Sequence, residues 1–288
     1  MEADLALLDT ETESFLKNLG IPPCPAILVR LTAMVRGDDP DFHAIAELVS
    51  ADVALSATML STVNSAYYGL RTKATTVYRA LSLLGLHTCT QLLTRLTLAR
   101  SMPAADTPAM KRFFATALRN SIIAAIVARS TRLVDPELAS TFVLFRDAGM
   151  GLLIARHERY GQLLEPAVLY QGVGLLDEEL TLCGVNHARV GFQLARSWEL
   201  ATETQLAIFN HHTYGVDAER RAAAPRLALR LVAIGLVVDT AACRITRMPN
   251  REWEENREFA LETLDLDDAD IDEIVREATI AAPPGVAG

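Results

Sequence analysis

The chain has 288 residues, 50% of them hydrophobic, 22% charged and 6% aromatic, with a formal net charge of −9. That apolar fraction supports one large core or two small ones and excludes an intrinsically disordered chain. An acidic balance, with a pI of about 5.2, disfavours duplex nucleic acid unless a local basic face exists.

In chain order, Leu5, Leu8, Phe15 and Leu19 recur at helical spacing, and Gly20 can end that helix. Ile21-Pro22-Pro23-Cys24-Pro25 must be extended, because each proline disfavours helix in the residue before it. Ile27, Leu28, Leu31, Met34 and Val35 share a face of the next helix, which Gly37 closes. Asp41 and Asp52 read as N-caps of two further helices, the second with Leu55, Met59 and Val63 in one row. That helix runs into Asn64-Ser65-Ala66-Tyr67-Tyr68-Gly69, with Gly69 as its stop. Val77, Leu81 and Leu84 make a short helix ended by Gly85, and Leu92, Leu93 and Leu96 mark another. Met102 to Pro108 has two prolines and no periodicity and reads as a linker.

The second half opens on a helix with two adjacent apolar rows, Phe113/Ala117/Ser121/Ala125 and Phe114/Leu118/Ile122/Ile126, which predict a wide buried face. Asp135-Pro136 fits an N-cap with proline in the first turn, opening a helix that reaches Leu144-Phe145-Arg146-Asp147-Ala148-Gly149-Met150-Gly151. Gly172-Val173-Gly174 reads as a loop. His187, Gly191, Leu194 and Trp198 form a stripe, followed by Ile208, Phe209 and His212. A long Leu/Ala/Val helix is expected from about Glu219 to Val238, with Arg220, Arg221 and the run to Arg230 as a solvated face. Asp265 to Glu273 lacks the central glycine of a calcium loop and reads as a helix N-terminus. No stretch alternates with period two, so the fold class is all-α: a multi-helix bundle of two packed helical subdomains. The expected divisions are 1–105, 106–215, and 216–288 for C-terminal helices and tail.

Cys24, Cys89, Cys183 and Cys243 are far apart, with no Cys-x-x-Cys pair, so neither a zinc knuckle nor a redox motif is written. They are expected as buried thiols in a reducing compartment. The N-terminus is acidic and lacks a secretory n-region, and Leu231 to Val238 is too short to span a bilayer. The expected location is cytoplasmic, without membrane contact.

Three stretches together resemble the HDOD domain, a bacterial helical signalling domain related to HD phosphohydrolases: Ile21-Pro22-Pro23-Cys24-Pro25, the Asp52 helix with Asn64-Ser65-Ala66-Tyr67-Tyr68-Gly69, and Ala80-Leu81-Ser82-Leu83-Leu84-Gly85-Leu86. The likeness covers roughly residues 15 to 215 and implies an HD-domain-like bundle. HD enzymes hold divalent metal with a His, a His-Asp pair and a later Asp. Carried over position by position, the first His falls at Asn120 and the His of the pair at Arg146, while the Asp of the pair is kept as Asp147. The Lys that often follows is Met150. The final Asp has no firm counterpart; Asp239 is the nearest acidic residue in that helix, and Ile234 or Gly235 is the other candidate.

Arginine stays protonated and has no lone pair to donate, so at this position it repels a dication. Asn120 offers only an amide carbonyl, a weak ligand for a hydrolytic transition metal. Arg146 is therefore expected to make a charge-assisted hydrogen bond with Asp147 or across the pocket. Asn120, Arg146, Asp147, His187, His211 and His212 form the candidate vestigial pocket. A gathering of the three histidines with Asp147 around a metal is set below ordinary hydrogen-bonded histidines at helix ends, so no metal and no cofactor is expected. Asn64, Ser65, Tyr67 and Tyr68 are candidates for an interaction surface or for the junction between the halves.

The resulting expectation is a non-enzymatic signal-transduction or scaffold protein that acts on a regulatory protein partner and binds no nucleic acid. A metal-dependent phosphohydrolase with an altered site and a nucleotide-binding module with Arg146 and the histidines as phosphate clamp are the alternatives.

Overall fold

The computed structural model describes residues 20–35, 39–65, 68, 70–102, 107–164 and 173–281. Among them every regular element is helical and there is no strand, as the apolar spacing requires. The helix expected over Leu5–Leu19 lies outside the described residues. The chain divides into two compact units: one is Pro23–Met102, and the other runs from Pro103 onward and also takes in the segment that ends at Pro22.

The Pro23–Met102 unit holds α1 (Ala26–Val35), α2 (Phe42–Ser50), α3 (Val53–Val63), α4 (Val77–Leu84) and α5 (Leu86–Ser101). Side chains start three of them. Asp41 accepts from the amides of His43 and Ala44, Asp52 from Leu55 at 2.9 Å, and Thr76 from Arg79 at 3.1 Å. The α3 row Leu55, Met59 and Val63 is buried with Ile45, Val49, Leu81, Leu92 and Leu93. α3 ends at Val63, not at Gly69. The cause is Asn64: its amide donates to the Ala74 carbonyl and its carbonyl accepts from the Ala74 amide, both at 2.8 Å, pinning the two ends of the following loop together. Gly85, at φ +82°, joins α4 to α5 in a conformation that favours glycine.

The other unit contains α6 (Pro108–Thr131), α7 (Pro136–Arg146), α8 (Ala148–Arg156), a 3₁₀ turn (Glu158–Gln162), α9 (Val173–Cys183), α10 (His187–Ser197), α11 (Thr202–Phe209), α12 (Ala218–Ala223), α13 (Arg226–Thr246), α14 (Arg251–Leu264) and α15 (Asp268–Ala281). α13 is central and packs against α6, α7, α11, α14 and α15. The helices after residue 215 thus share one unit with those before it. The Ile21–Pro25 segment begins here too: the Pro22 carbonyl accepts from Trp198 Nε1 at 3.0 Å, and Trp198 meets Phe145 edge to face.

Three further expectations change. The helix expected over 219–238 is two helices, because Pro225 lacks an amide to donate and its ring clashes with the preceding turn; α13 then continues to Thr246. α6 buries Ala117, Asn120, Ser121 and Ala124, while Leu118 of the second expected row is 49% exposed. Val173 and Gly174 open α9 instead of forming a loop. Leu231–Val238 lies within α13; among the described residues Pro136–Arg156 is long and apolar enough to cross a bilayer, and it is mostly buried inside the protein. At the C-terminus, Asp267 caps α15 by accepting from Ala269 and Asp270. Cys89, Cys183 and Cys243 are buried, Cys24 is half-buried, and none is in a disulfide.

Candidate functional site

α7 stops at Arg146, Asp147 turns the chain at φ −97° and ψ 0°, and α8 begins at once. Gly149 lets this break approach α10. A β-carbon there would stand 2.1 Å from the His187 carbonyl oxygen and 2.9 Å from the Gly191 amide nitrogen. Only a glycine permits two backbones to close to that distance. The glycine thus brings Asp147 up to the histidines.

Arg146 is 4% exposed. Its Nε donates to Asp147 Oδ2 at 3.2 Å and its Nη2 to Asp239 Oδ1 at 2.5 Å. Gly235, one turn before Asp239 on α13, makes room: a β-carbon there would lie 2.4 Å from Arg146 Nη1. Asn120 of α6 is 3% exposed, and its Oδ1 has no hydrogen-bond partner. Asn120, Arg146, Asp147 and Asp239 line a cavity of about 530 Å³ with His211, His212, Glu252 and the apolar Phe113, Met150, Leu164 and Met248.

His187 is the first residue of α10, whose N-cap Asn186 accepts from the Arg189 amide at 3.0 Å. His211 and His212 lie in the turn that follows α11. Each imidazole is fixed from behind. His187 Nδ1 stands 2.7 and 2.8 Å from the Glu179 oxygens, His211 Nδ1 2.7 Å from the Ile208 carbonyl, and His212 Nδ1 2.6 Å from Glu252 Oε1. Glu179 also accepts from the His187 amide at 2.8 Å and from the Tyr160 hydroxyl. The three Nε2 atoms face one another: His187 is 3.1 Å from His211 and 3.2 Å from His212. Asp147 Oδ1 lies 3.7 Å from His211 Nε2.

Burial works against charge throughout this site, and partners decide each sign. It lifts Asp239 and Glu252 each to about 7, against the pull of Arg146. At Asp147 burial is outweighed by Arg146 and the histidines, which hold the carboxyl below its ordinary range. Glu179 is likewise held low, its burial outweighed first by His187. His212 falls to about 3 and His211 well below its usual value, through burial and neighbouring histidines. His187 rises instead, because Glu179 outweighs its burial.

All six candidate pocket residues therefore come together. Asn64, Ser65 and Tyr68 belong to the Pro23–Met102 unit, and Tyr67 lies outside the described residues. Asn64 spends its amide on Ala74, Ser65 is exposed, and the Tyr68 hydroxyl accepts from Arg95 Nη2 at 3.1 Å. Sequence reasoning missed Glu179, Tyr160 and Glu252. Glu179 left a trace, a carboxylate on the apolar Leu175–Cys183 row; the other two left none.

The sequence profile of the HDOD domain matches residues 21–214. This chain belongs to the HDOD family. An uncharacterised protein of Treponema pallidum is 26% identical over 202 residues, which span 67% of the HDOD chain but only 37% of that protein. An HDOD domain protein of unknown function from Geobacter sulfurreducens superposes with a TM-score of 0.64 at 20% identity, covering 96% of this chain and 100% of its own. A Shewanella amazonensis protein, whose name suggests a phosphohydrolase without establishing one, superposes with a TM-score of 0.67 at 19% identity over 92% and 93% of the two chains. These likenesses carry the fold.

The HD metal position does not fit the side chains of this HDOD protein. Asn120, Arg146, Asp147 and Asp239 would have to supply it, and a guanidinium already sits between the two carboxylates. A permanent cation there offers no donor atom and opposes a dication.

Proposed function

We propose that this HDOD protein is a non-catalytic signal-transduction or scaffold protein of the bacterial cytoplasm that works by docking a regulatory protein partner. The observation behind this reading is Arg146, buried between Asp147 and Asp239 at 3.2 and 2.5 Å. In a hydrolytic HD site the ion offsets the carboxylates and acidifies a bound water. Arg146 does the first and cannot do the second. The pocket keeps its charge arrangement without a means of making a nucleophile.

A phosphate clamp fits less well, since a phosphate would have to compete with two carboxylates for the same guanidinium. The second reading is a phosphohydrolase with an altered site, and the convergence of His187, His211 and His212 is the feature in its favour.

The experiment is a panel of phosphomonoesters, phosphodiesters and cyclic nucleotides, with and without added manganese. No turnover above the Asp147→Ala protein is expected. Turnover that vanishes in Asp147→Ala overturns the reading. Asn120→His with Arg146→His should raise manganese affinity if the positions carried over from HD enzymes are right.

A further inference from the structure

One face of α6 runs from solvent into the cavity. Arg112, Thr116, Arg119 and Asn120 all line it, and successive members of such a row stand on one side of a helix. Burial deepens along the row: Arg112 is exposed, Thr116 and Arg119 are half-buried, and Asn120 is 3% exposed. The helical rise sets Arg112 and Asn120 about 12 Å apart along the axis.

The chain itself does not use the charged and amide groups of this row. Among the described residues the guanidiniums of Arg112 and Arg119 make no ion pair or hydrogen bond, and neither does the Asn120 carboxamide. Arg119 Nε and Asn120 Oδ1 are buried without a partner. A buried polar group left unpaired is destabilising and calls for a reason. The carboxamide turns about a broad torsion, so Oδ1 can swing to meet a group that enters the cavity.

Charge is divided along the same path. The deeper wall is acidic, with Asp239 and Glu252 buried and Asp147 half-buried, and Arg146 is already held by two of these three. An anion placed there is repelled. At the outer end the two arginines of α6 are free to attract one. Phe113, Met150, Leu164 and Met248 give the cavity an apolar surface, and about 530 Å³ is the size of a pocket for one small organic molecule.

We infer that this cavity binds a small amphipathic organic anion, with its headgroup between Arg112 and Arg119, its apolar body on Phe113, Met150, Leu164 and Met248, and an N–H or O–H turned inward to Asn120 Oδ1. The headgroup thus sits away from Arg146, at the opposite end from a phosphate clamp on that residue. Guanidiniums take carboxylate and phosphate alike, so the headgroup is either of these. Binding of this kind needs no reaction, and a chain without the site would leave the non-catalytic reading above standing.

The full-length chain is titrated with anilinonaphthalene sulfonate, a dye with an anionic headgroup, fused apolar rings and one N–H. One equivalent should bind saturably, with brighter and blue-shifted emission. Arg112→Gln with Arg119→Gln should weaken it about tenfold or more, the scale of lost charge-assisted hydrogen bonds. Asn120→Leu, which breaks no hydrogen bond of the free chain, should weaken it about threefold to tenfold. Leu118→Ser, on the exposed side of the same helix, should leave it unchanged. Indoleacetate and indoxyl phosphate should displace the dye where indole or acetate alone does not, and the stronger competitor identifies the headgroup. Circular dichroism checks that each variant is folded. Absence of saturable binding overturns the site. So does binding that survives the double arginine variant, that is lost in Leu118→Ser, or that yields to neutral indole as readily as to indoleacetate. Binding unchanged in Asn120→Leu, or hydrolysis of indoxyl phosphate, would overturn the orientation.

Discussion

At the scale of single residues the site turns on Arg146. Its guanidinium is the one cation in hydrogen-bond contact with Asp147 and Asp239 among the described residues. Removing one partner of a buried ion pair strands the rest and typically costs about 3–5 kcal/mol. Arg146→Met should therefore destabilise the protein by that order in urea denaturation. Asp239→Asn in the same background should recover part of the loss, because it removes one stranded carboxylate. A cost under 1 kcal/mol for Arg146→Met would show that the carboxylates find other relief. The sequence alone showed that Arg146 has no lone pair to give and that a carboxylate adjoins it. It could not show Glu252 behind His212, since a separation of 40 residues leaves no local signal.

At the scale of elements, the helix starts were the most legible features because capping is local chemistry. Asp41, Asp52 and Asp135 each accept from amides two or three residues ahead. Asp52 carries a testable pH dependence. The Leu55 amide first, and Arg100 at 2.8 Å second, hold its carboxyl below the ordinary 3.8. A lowered folded value means that the stabilisation is complete above the unfolded value and disappears as pH falls through the folded one. Asp52→Ala should cost about 1 kcal/mol at neutral pH, the usual worth of an N-cap. The gap between wild type and variant should stay flat down to about pH 5 and narrow below that. A gap that widens in acid would contradict the assignment. Helix ends were harder to read. Asn64 stops α3 through a partner ten residues away, and Pro225 breaks a run whose composition reads as continuous helix.

At the scale of the whole molecule, the all-α class was legible because every long apolar pattern has the helical period. What periodicity cannot tell is which helix stands at the centre. α13 holds that place in its unit, although the apolar rows of α6 looked the stronger. A net charge of −9 also makes a prediction about partners. In a gel shift at about 150 mM salt, where the Debye length is near 8 Å, no retardation of duplex DNA is expected at micromolar protein. A sub-micromolar shift that weakens steeply with salt would reveal a basic face and change the class of partner.

The contact between Gly235 and Arg146 bears on the routes by which such a pocket can change. A β-carbon at 235 would stand 2.4 Å from Arg146 Nη1, so Arg146 keeps the pose in which Asp147 and Asp239 hold it only while position 235 is bare. The reverse path is blocked as well. Arg146→His alone would leave a hole beside Gly235 and two acids facing each other, and filling position 235 first would expel the arginine. Return to an ion-binding arrangement of the HD kind needs Arg146→His together with Asn120→His, the arginine having to leave before anything but glycine fits at 235. The pair acts as a ratchet: each residue makes the other costly to exchange, and the pocket is held in its present form by the absence of any cheap single step away from it.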